Sequence, residues 1–136
     1  MGRLRISPDD RWVAFNDRAA GSMRIYVVPF RPGETVARDK WIAITPEDTV
    51  VNAPLWAANG VSLYYLSNLD GNFCVWHQTI DSATGRPIGE PVPAWHFHDA
   101  RRSMSRIALP TRGLAASRDR LVVSVAEAAG NIWLAR

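Results

Sequence analysis

Apolar residues in this chain fall in short uninterrupted runs rather than along a helical stripe. Trp12-Val13-Ala14-Phe15, Ile25-Tyr26-Val27-Val28, Leu63-Tyr64-Tyr65-Leu66, Phe73-Cys74-Val75-Trp76 and Leu121-Val122-Val123 are each flanked by polar or turn-forming residues. A strand with one wet face alternates apolar and polar side chains, so runs that are apolar on both sides of the pleat predict strands covered above and below. The turn pairs Asp9-Asp10, Asn59-Gly60 and Asp70-Gly71 punctuate them, and Asp70-Gly71 between two apolar runs predicts a hairpin. The longest helix candidate, 113–129, has no sustained stripe at helical spacing, and nine prolines and nine glycines break the chain into short segments. The pattern predicts an all-β chain with strands near 11–16, 23–30, 40–45, 52–56, 61–67, 73–80, 91–97, 105–109, 120–125 and 130–135.

The runs recur at a fixed interval. Shifted by 50 positions, Ser7 to Phe15 aligns with Ala57 to Tyr65, and Gly21-Ser22-Met23-Arg24-Ile25-Tyr26 meets Gly71-Asn72-Phe73-Cys74-Val75-Trp76. A shorter third copy follows in Ser117 to Val123 and then Gly130-Asn131-Ile132-Trp133. Each unit reads turn, apolar strand, Gly-containing turn, and a strand with a β-branched residue before Tyr or Trp. A period of this length marks a repeat architecture in which each unit buries its apolar faces against its neighbours.

The motif within each unit resembles the repeat of TolB-like β-propellers, Pro-x-Trp-Ser-Pro-Asp-Gly followed by an apolar strand, a Gly turn and Ile-Tyr. Ile6-Ser7-Pro8-Asp9-Asp10 with Ile25-Tyr26 carries it in the first copy, and Pro54-Leu55-Trp56-Ala57-Ala58-Asn59-Gly60 with Val75-Trp76 in the second; the third keeps Asp119 and Ile132-Trp133. The resemblance implies about three four-stranded antiparallel blades, near 1–50, 51–100 and 101–136, forming one partial propeller domain. It also implies a bacterial chain of periplasm or cytoplasm whose propeller binds a protein or peptide partner around a central channel. Similar propellers follow a kinase or DNA-binding domain in longer bacterial chains, so a regulatory or sensor fragment of such a protein is the rival reading. A lyase or hydrolase that uses the propeller channel is a third.

Composition narrows these choices. With 136 residues, 47% hydrophobic and 21% charged, the chain has the makeup of one globular domain and not of a disordered one. No apolar stretch reads as a secretory signal or reaches the ~18 residues of a membrane span. The net charge is +3, and 15 of the 16 basic residues are arginines scattered along the chain, which argues against a concentrated nucleic-acid face. A lone cysteine, Cys74, excludes an intrachain disulfide and a multi-cysteine zinc site, and its place in an apolar strand argues against a reactive thiol. No Gly-x-Ser-x-Gly elbow is present, so hydrolase chemistry is not expected, and no catalytic residue and no cofactor are assigned.

The candidate chemistry lies between 95 and 112. His96 and His98 are two residues apart, which puts both imidazoles on one side of an extended strand beside Asp99, a spacing that can chelate a transition metal. A metal site needs a third and usually a fourth ligand, and His77, the remaining histidine, is not placed beside them; polar packing or loop hydrogen bonding is the reading, and no metal is assigned. Asn68-Leu69-Asp70-Gly71-Asn72 echoes a calcium loop but lacks the later bidentate Glu, so it reads as the hairpin turn. Arg101-Arg102, with Arg106 and Arg112, is the densest basic stretch and could meet an acidic partner; the competing account is a solvated loop between blades. Of the six tryptophans, Trp12, Trp76 and Trp133 fall in repeat strands and read as packing, whereas Trp95 is expected at the surface. Trp95, His96, His98, Asp99, Arg101 and Arg102 are accordingly the candidate partner-binding residues.

Three blades cannot enclose a channel, since propellers use about four to eight. A two-fold homodimer closing a six-bladed ring is therefore expected, driven by bare end faces carrying Val13, Phe15, Ile25, Val122 and Ile132, and by a last blade that lacks its outermost strand.

Overall fold

The computed structural model describes residues 4–19, 21–98, 102–104, 107, 113–117 and 119–127. Two four-stranded antiparallel sheets account for most of it. Sheet 1 runs β1 (Leu4–Ile6), β2 (Trp12–Ala19), β3 (Ser22–Pro29) and β4 (Ile42–Ala43) in sequential order; sheet 2 repeats this with β5 (Val51–Trp56), β6 (Ser62–Ser67), β7 (Cys74–Ile80) and β8 (Pro87–Trp95). Two short pairs follow: β9 (Arg102–Ser103) pairs with β12 (Ala126–Glu127), and β10 (Leu114–Ala116) with β11 (Leu121–Val123). No α-helix occurs among the described residues, and no helix is long and apolar enough to cross a membrane.

The 50-residue repeat holds at the level of hydrogen-bond register for most pairs. Phe15 faces Tyr26 where Tyr65 faces Trp76, and Tyr26 faces Ala43 where Trp76 faces Pro93. The turns between first and second strands also correspond. Ser7 N–H donates to Trp12 C=O at 2.8 Å, as Ala57 N–H does to Ser62 C=O at 2.8 Å. In the first turn Ser7 Oγ donates to Asp9 Oδ1 at 2.5 Å and accepts from Trp12 N–H at 2.9 Å. In the second, Asn59 Oδ1 accepts from Val61 and Ser62 N–H, both at 3.1 Å. The left-handed position of each turn is Asp10 (φ 54°) and Gly60 (φ 71°), residue types that tolerate it. In the third copy the turn is two residues shorter: Ser117 N–H donates to Arg120 C=O at 2.8 Å, and Ser117 Oγ again donates to an Asp, Asp119, at 3.1 Å.

Both faces of the central strands are buried, as the two-sided apolar runs predict. Trp12, Ala14, Ile25, Val27 and Ile44 of sheet 1 pack with Val51, Trp56, Leu63, Tyr65, Cys74, Trp76 and Ile80 of sheet 2 in one core. The alternate residues Leu66 and Val75 turn the other way and meet Met104 and Leu114 of the third unit. Strand β5 sits in the middle, against β1, β2 and β3 on one side and β10 on the other. Two indoles tie the sheets together: Trp12 Nε1–H donates to Ser82 C=O and Trp56 Nε1–H to Arg5 C=O, both at 3.1 Å.

The bare end face expected on sheet 1 is covered instead. Val13, Phe15, Tyr26 and Val28 lie under the segment that follows β3, through Phe30, Val36 and Trp41. The Trp41 ring stands edge-on to Phe15 at 4.8 Å and to Tyr26 at 5.4 Å. Ile25, also expected on an end face, is fully buried between the sheets, whereas Val122 is exposed as expected. Ile132, Trp133 and the strand expected at 130–135 lie outside the described residues, as does most of the one expected at 105–109. Strands β9, β10 and β12 are additions to the expected ranges, β1 lies where the 50-residue shift sets residues 2–6 against the strand expected at 52–56, and β8 begins and ends earlier than the expected 91–97.

Candidate functional site

Strand β8 is the outer edge of sheet 2 and is exposed along nearly its whole length. Pro87, Pro91 and Pro93 remove donors from an edge that could otherwise recruit another strand. Its pairing with β7 is irregular: Trp76 faces Pro93, but Val75 faces Trp95, so Ala94 is an extra residue on β8. This bulge advances the register by one and brings His96, not Trp95, level with Cys74.

Trp95, the last residue of β8, is 62% exposed and stacks on Phe97, ring centroids 6.2 Å apart and 22° between planes. His96 and His98 follow, each with roughly half its side chain open to solvent. Asp99 and Arg101 lie outside the described residues, as do Arg106 and Arg112. Arg102 lies in β9, opposite Glu127, so at that point the basic stretch is strand and the solvated-loop account does not hold.

The two histidines converge on a turn from the other side of β7. The β6–β7 hairpin closes through Gly71 N–H to Asn68 C=O at 2.9 Å with Gly71 at φ 92°, and it presents Asp70 beside them. Asp70 Oδ2 lies 3.2 Å from His96 Nδ1 and 3.0 Å from His98 Nε2, and the two ring nitrogens are 3.2 Å apart. Cys74, at the start of β7, brings its Sγ to 4.0 Å from the same oxygen. These four ligand atoms all lie within 4.8 Å of one another.

The neighbours of this cluster are ordered around it. Asn72 N–H donates to Asp70 Oδ1 at 3.2 Å, which leaves Oδ2 facing the histidines. Phe97 N–H donates to Cys74 Sγ at 3.4 Å. Burial works against the Asp70 carboxylate, but the Asn72 N–H and the His98 ring outweigh it and hold the carboxyl below its ordinary range. Burial pushes the Cys74 thiol up, against the Phe97 N–H, and the Asp70 charge adds to the rise. His77 is not part of the group; its ring packs on Tyr64 at 5.2 Å and burial lowers its pKa.

Sequence reasoning finds the His-x-His pair and reads Asp70 as a turn residue and Cys74 as core, both of which hold, but it does not join the four. A second feature it misses is an apolar cleft of about 660 Å³ where the β2–β3 hairpin meets the 48–52 segment, lined by residues including Asn16, Met23, Val50 and Asn52.

No protein-family model, no curated protein and no solved structure matches this chain.

Proposed function

We propose that the chain is a non-catalytic binding scaffold, a stack of β-propeller blades resembling the TolB-like repeat, that meets a protein or peptide partner at the rim formed by the end of β8. The observation that carries this reading is the repetition of one four-stranded sheet at a 50-residue interval in the same register, with both faces of its central strands buried. A blade is a sheet of this kind that is stable only between neighbours. At the rim, Trp95 and Phe97 offer a stacked aromatic surface on a Pro-rich edge that resists strand addition, so side chains rather than backbone make the contact.

Peptides selected from a random display library on the full chain test this. Binding is expected to fall about thirtyfold on Trp95→Ala, the effect of losing a hot-spot tryptophan worth ~2 kcal/mol. Failure to enrich any peptide, or binding unaltered by Trp95→Ala, would overturn the rim assignment; loss on Met23→Arg alone would move the contact to the cleft.

Ring closure by a second copy belongs to the same reading. Leu4 and Ile6 are about half exposed on β1, which among the described residues pairs with β2 alone, and Val122 is exposed on β11, so apolar side chains remain for a further neighbour to cover. Light scattering at micromolar concentration is expected to give twice the chain mass of 15.1 kDa; a monomer would contradict closure by two copies.

A further inference from the structure

We propose that Asp70, Cys74, His96 and His98 bind one zinc ion. Thiolate, two imidazoles and a carboxylate form a four-ligand set suited to a tetrahedral, borderline-soft divalent ion. The set comes from two places that β-pairing holds together, the β6–β7 turn with the start of β7, and the segment after β8. With Cys74 ionised and both imidazoles neutral, the two negative ligands balance the charge of the ion, and binding releases the thiol proton to water.

The geometry fits a shared centre better than a set of hydrogen bonds. The separations of His96 Nδ1, His98 Nε2 and Asp70 Oδ2 are 3.2, 3.2 and 3.0 Å, a nearly equilateral triangle. Zinc bonds of about 2.0–2.1 Å at tetrahedral angles place such atoms roughly 3.3 Å apart. The sulfur corner is wider, at 4.0 Å from Asp70 Oδ2 and within 4.8 Å of the rest. It would have to close by up to roughly 1.2 Å to reach the ~3.6 Å expected for a sulfur–nitrogen edge. As hydrogen bonds the triangle is frustrated. With Asp70 ionised and acceptor-only, each ring nitrogen has one in-plane N–H or one lone pair, so it can serve only one of its two neighbours, and at least one edge sets like against like. A cation at the centre satisfies all three edges at once.

The surrounding contacts are those a metal site uses. Asn72 N–H orients the Asp70 carboxylate and Phe97 N–H points at the Cys74 sulfur, the supporting hydrogen bonds that fix ligands and spread their charge. All four positions being protein atoms makes this a structural centre. Its effect would be to staple the hairpin turn to the end of an exposed, bulged edge strand and so to set the position of the Trp95–Phe97 pair. The site stands on its own geometry and does not depend on the propeller reading.

The test uses the full chain, freed of metal by chelator under reducing conditions and titrated with Co²⁺ alone. One equivalent is expected to give the intense visible bands of tetrahedral cobalt and a near-ultraviolet thiolate-to-metal band; one equivalent of Zn²⁺ should abolish both, with sub-micromolar affinity and a raised Tm. His98→Ala alters an exposed side chain and should weaken Zn²⁺ binding by at least about a hundredfold, the upper end of what loss of a mere supporting group produces. Cys74→Ser should remove the thiolate band, with circular dichroism reporting whether this buried substitution folds; His98→Ala carries the test if it does not. His77→Gln should leave binding unchanged. Absence of stoichiometric binding, a pale octahedral spectrum, or an affinity indifferent to His98→Ala would overturn the proposal.

Discussion

Replacing Gly85 by alanine probes the joint between the two sheets. Gly85 lies in the turn between β7 and β8 at φ 70°, and its N–H donates to Asp81 C=O at 2.7 Å. A Cβ there would stand 2.5 Å from Cζ3 of Trp12, 2.7 Å from Cη2 and 2.8 Å from Cε3, where carbon atoms in contact keep about 3.5–4.0 Å. The indole of Trp12 has nowhere to retreat, since it is buried in the shared core and bonded through Nε1 to Ser82 C=O of the same turn. Three costs follow: about 1–2 kcal/mol for a side chain in the left-handed region, about 1 kcal/mol for the strained or lost indole hydrogen bond, and about 1–3 kcal/mol for overpacking. Reduced freedom of the unfolded chain returns about 0.4–1 kcal/mol. The net loss is about 2–6 kcal/mol, a large part of the ~5–15 kcal/mol that stabilises an ordinary domain. Urea unfolding followed by tryptophan fluorescence should show the midpoint falling by roughly 2 M with the slope unchanged. Gly33→Ala is the control, because Gly33 is also left-handed (φ 79°) but a Cβ added there would meet nothing within 4 Å, so it should lose about 1 kcal/mol. Equal losses for the two substitutions would refute the claim that Trp12 is wedged into this turn.

Three further outcomes follow from the same contacts. Ser7→Ala leaves the Trp12 N–H without the hydroxyl oxygen it donates to and should cost about 1–3 kcal/mol by chemical denaturation; Ser7 also depresses the Asp9 pKa, so stability held above the ordinary carboxylate range and lost on acidification below it should depend less on pH in the variant. Burial depresses the His77 pKa from 6.5, so the neutral ring favours the folded state above that value, stability falls as pH drops below it, and His77→Gln should flatten this part of the pH–stability curve. Trp41→Ala uncovers Phe15 and Tyr26 on the outer face of sheet 1, and should cost about 2–4 kcal/mol and increase binding of a hydrophobic dye.

The repeat and the two-sided strands are legible in the sequence because their cause is local: a turn pair, an apolar run and a Gly turn recur at the same interval. Strand β1, only three residues long, does not stand out as a run and is reached through the 50-residue match of residues 2–6 to 52–56, whereas β10 escapes because Leu114-Ala115-Ala116 lacks β-branched or aromatic residues. The covering of sheet 1 is not legible either. Phe30, Val36 and Trp41 are spread over a segment with almost no regular structure, and only the folded path shows that they lie on Val13 and Phe15. The four-residue cluster depends on register. His96 and His98 are visible as a pair, but Cys74 comes level with His96 only because Ala94 is extra on β8, and nothing in the local sequence announces that bulge.

The scaffold reading stands on the two sheets being stacked units of one repeat, and the indole protons of Trp12 and Trp56 report that stacking directly. Each crosses the sheet boundary, Trp12 to Ser82 C=O and Trp56 to Arg5 C=O, over 70 and 51 positions of sequence. In a two-dimensional nuclear Overhauser spectrum of the full chain, both indole N–H protons should exchange slowly with water and show cross-peaks to the backbone protons of residues 82–83 and 5–6. Rapid exchange of both, with those cross-peaks missing while the cross-strand peaks within each sheet are present, would contradict the stacked arrangement and with it the proposed scaffold.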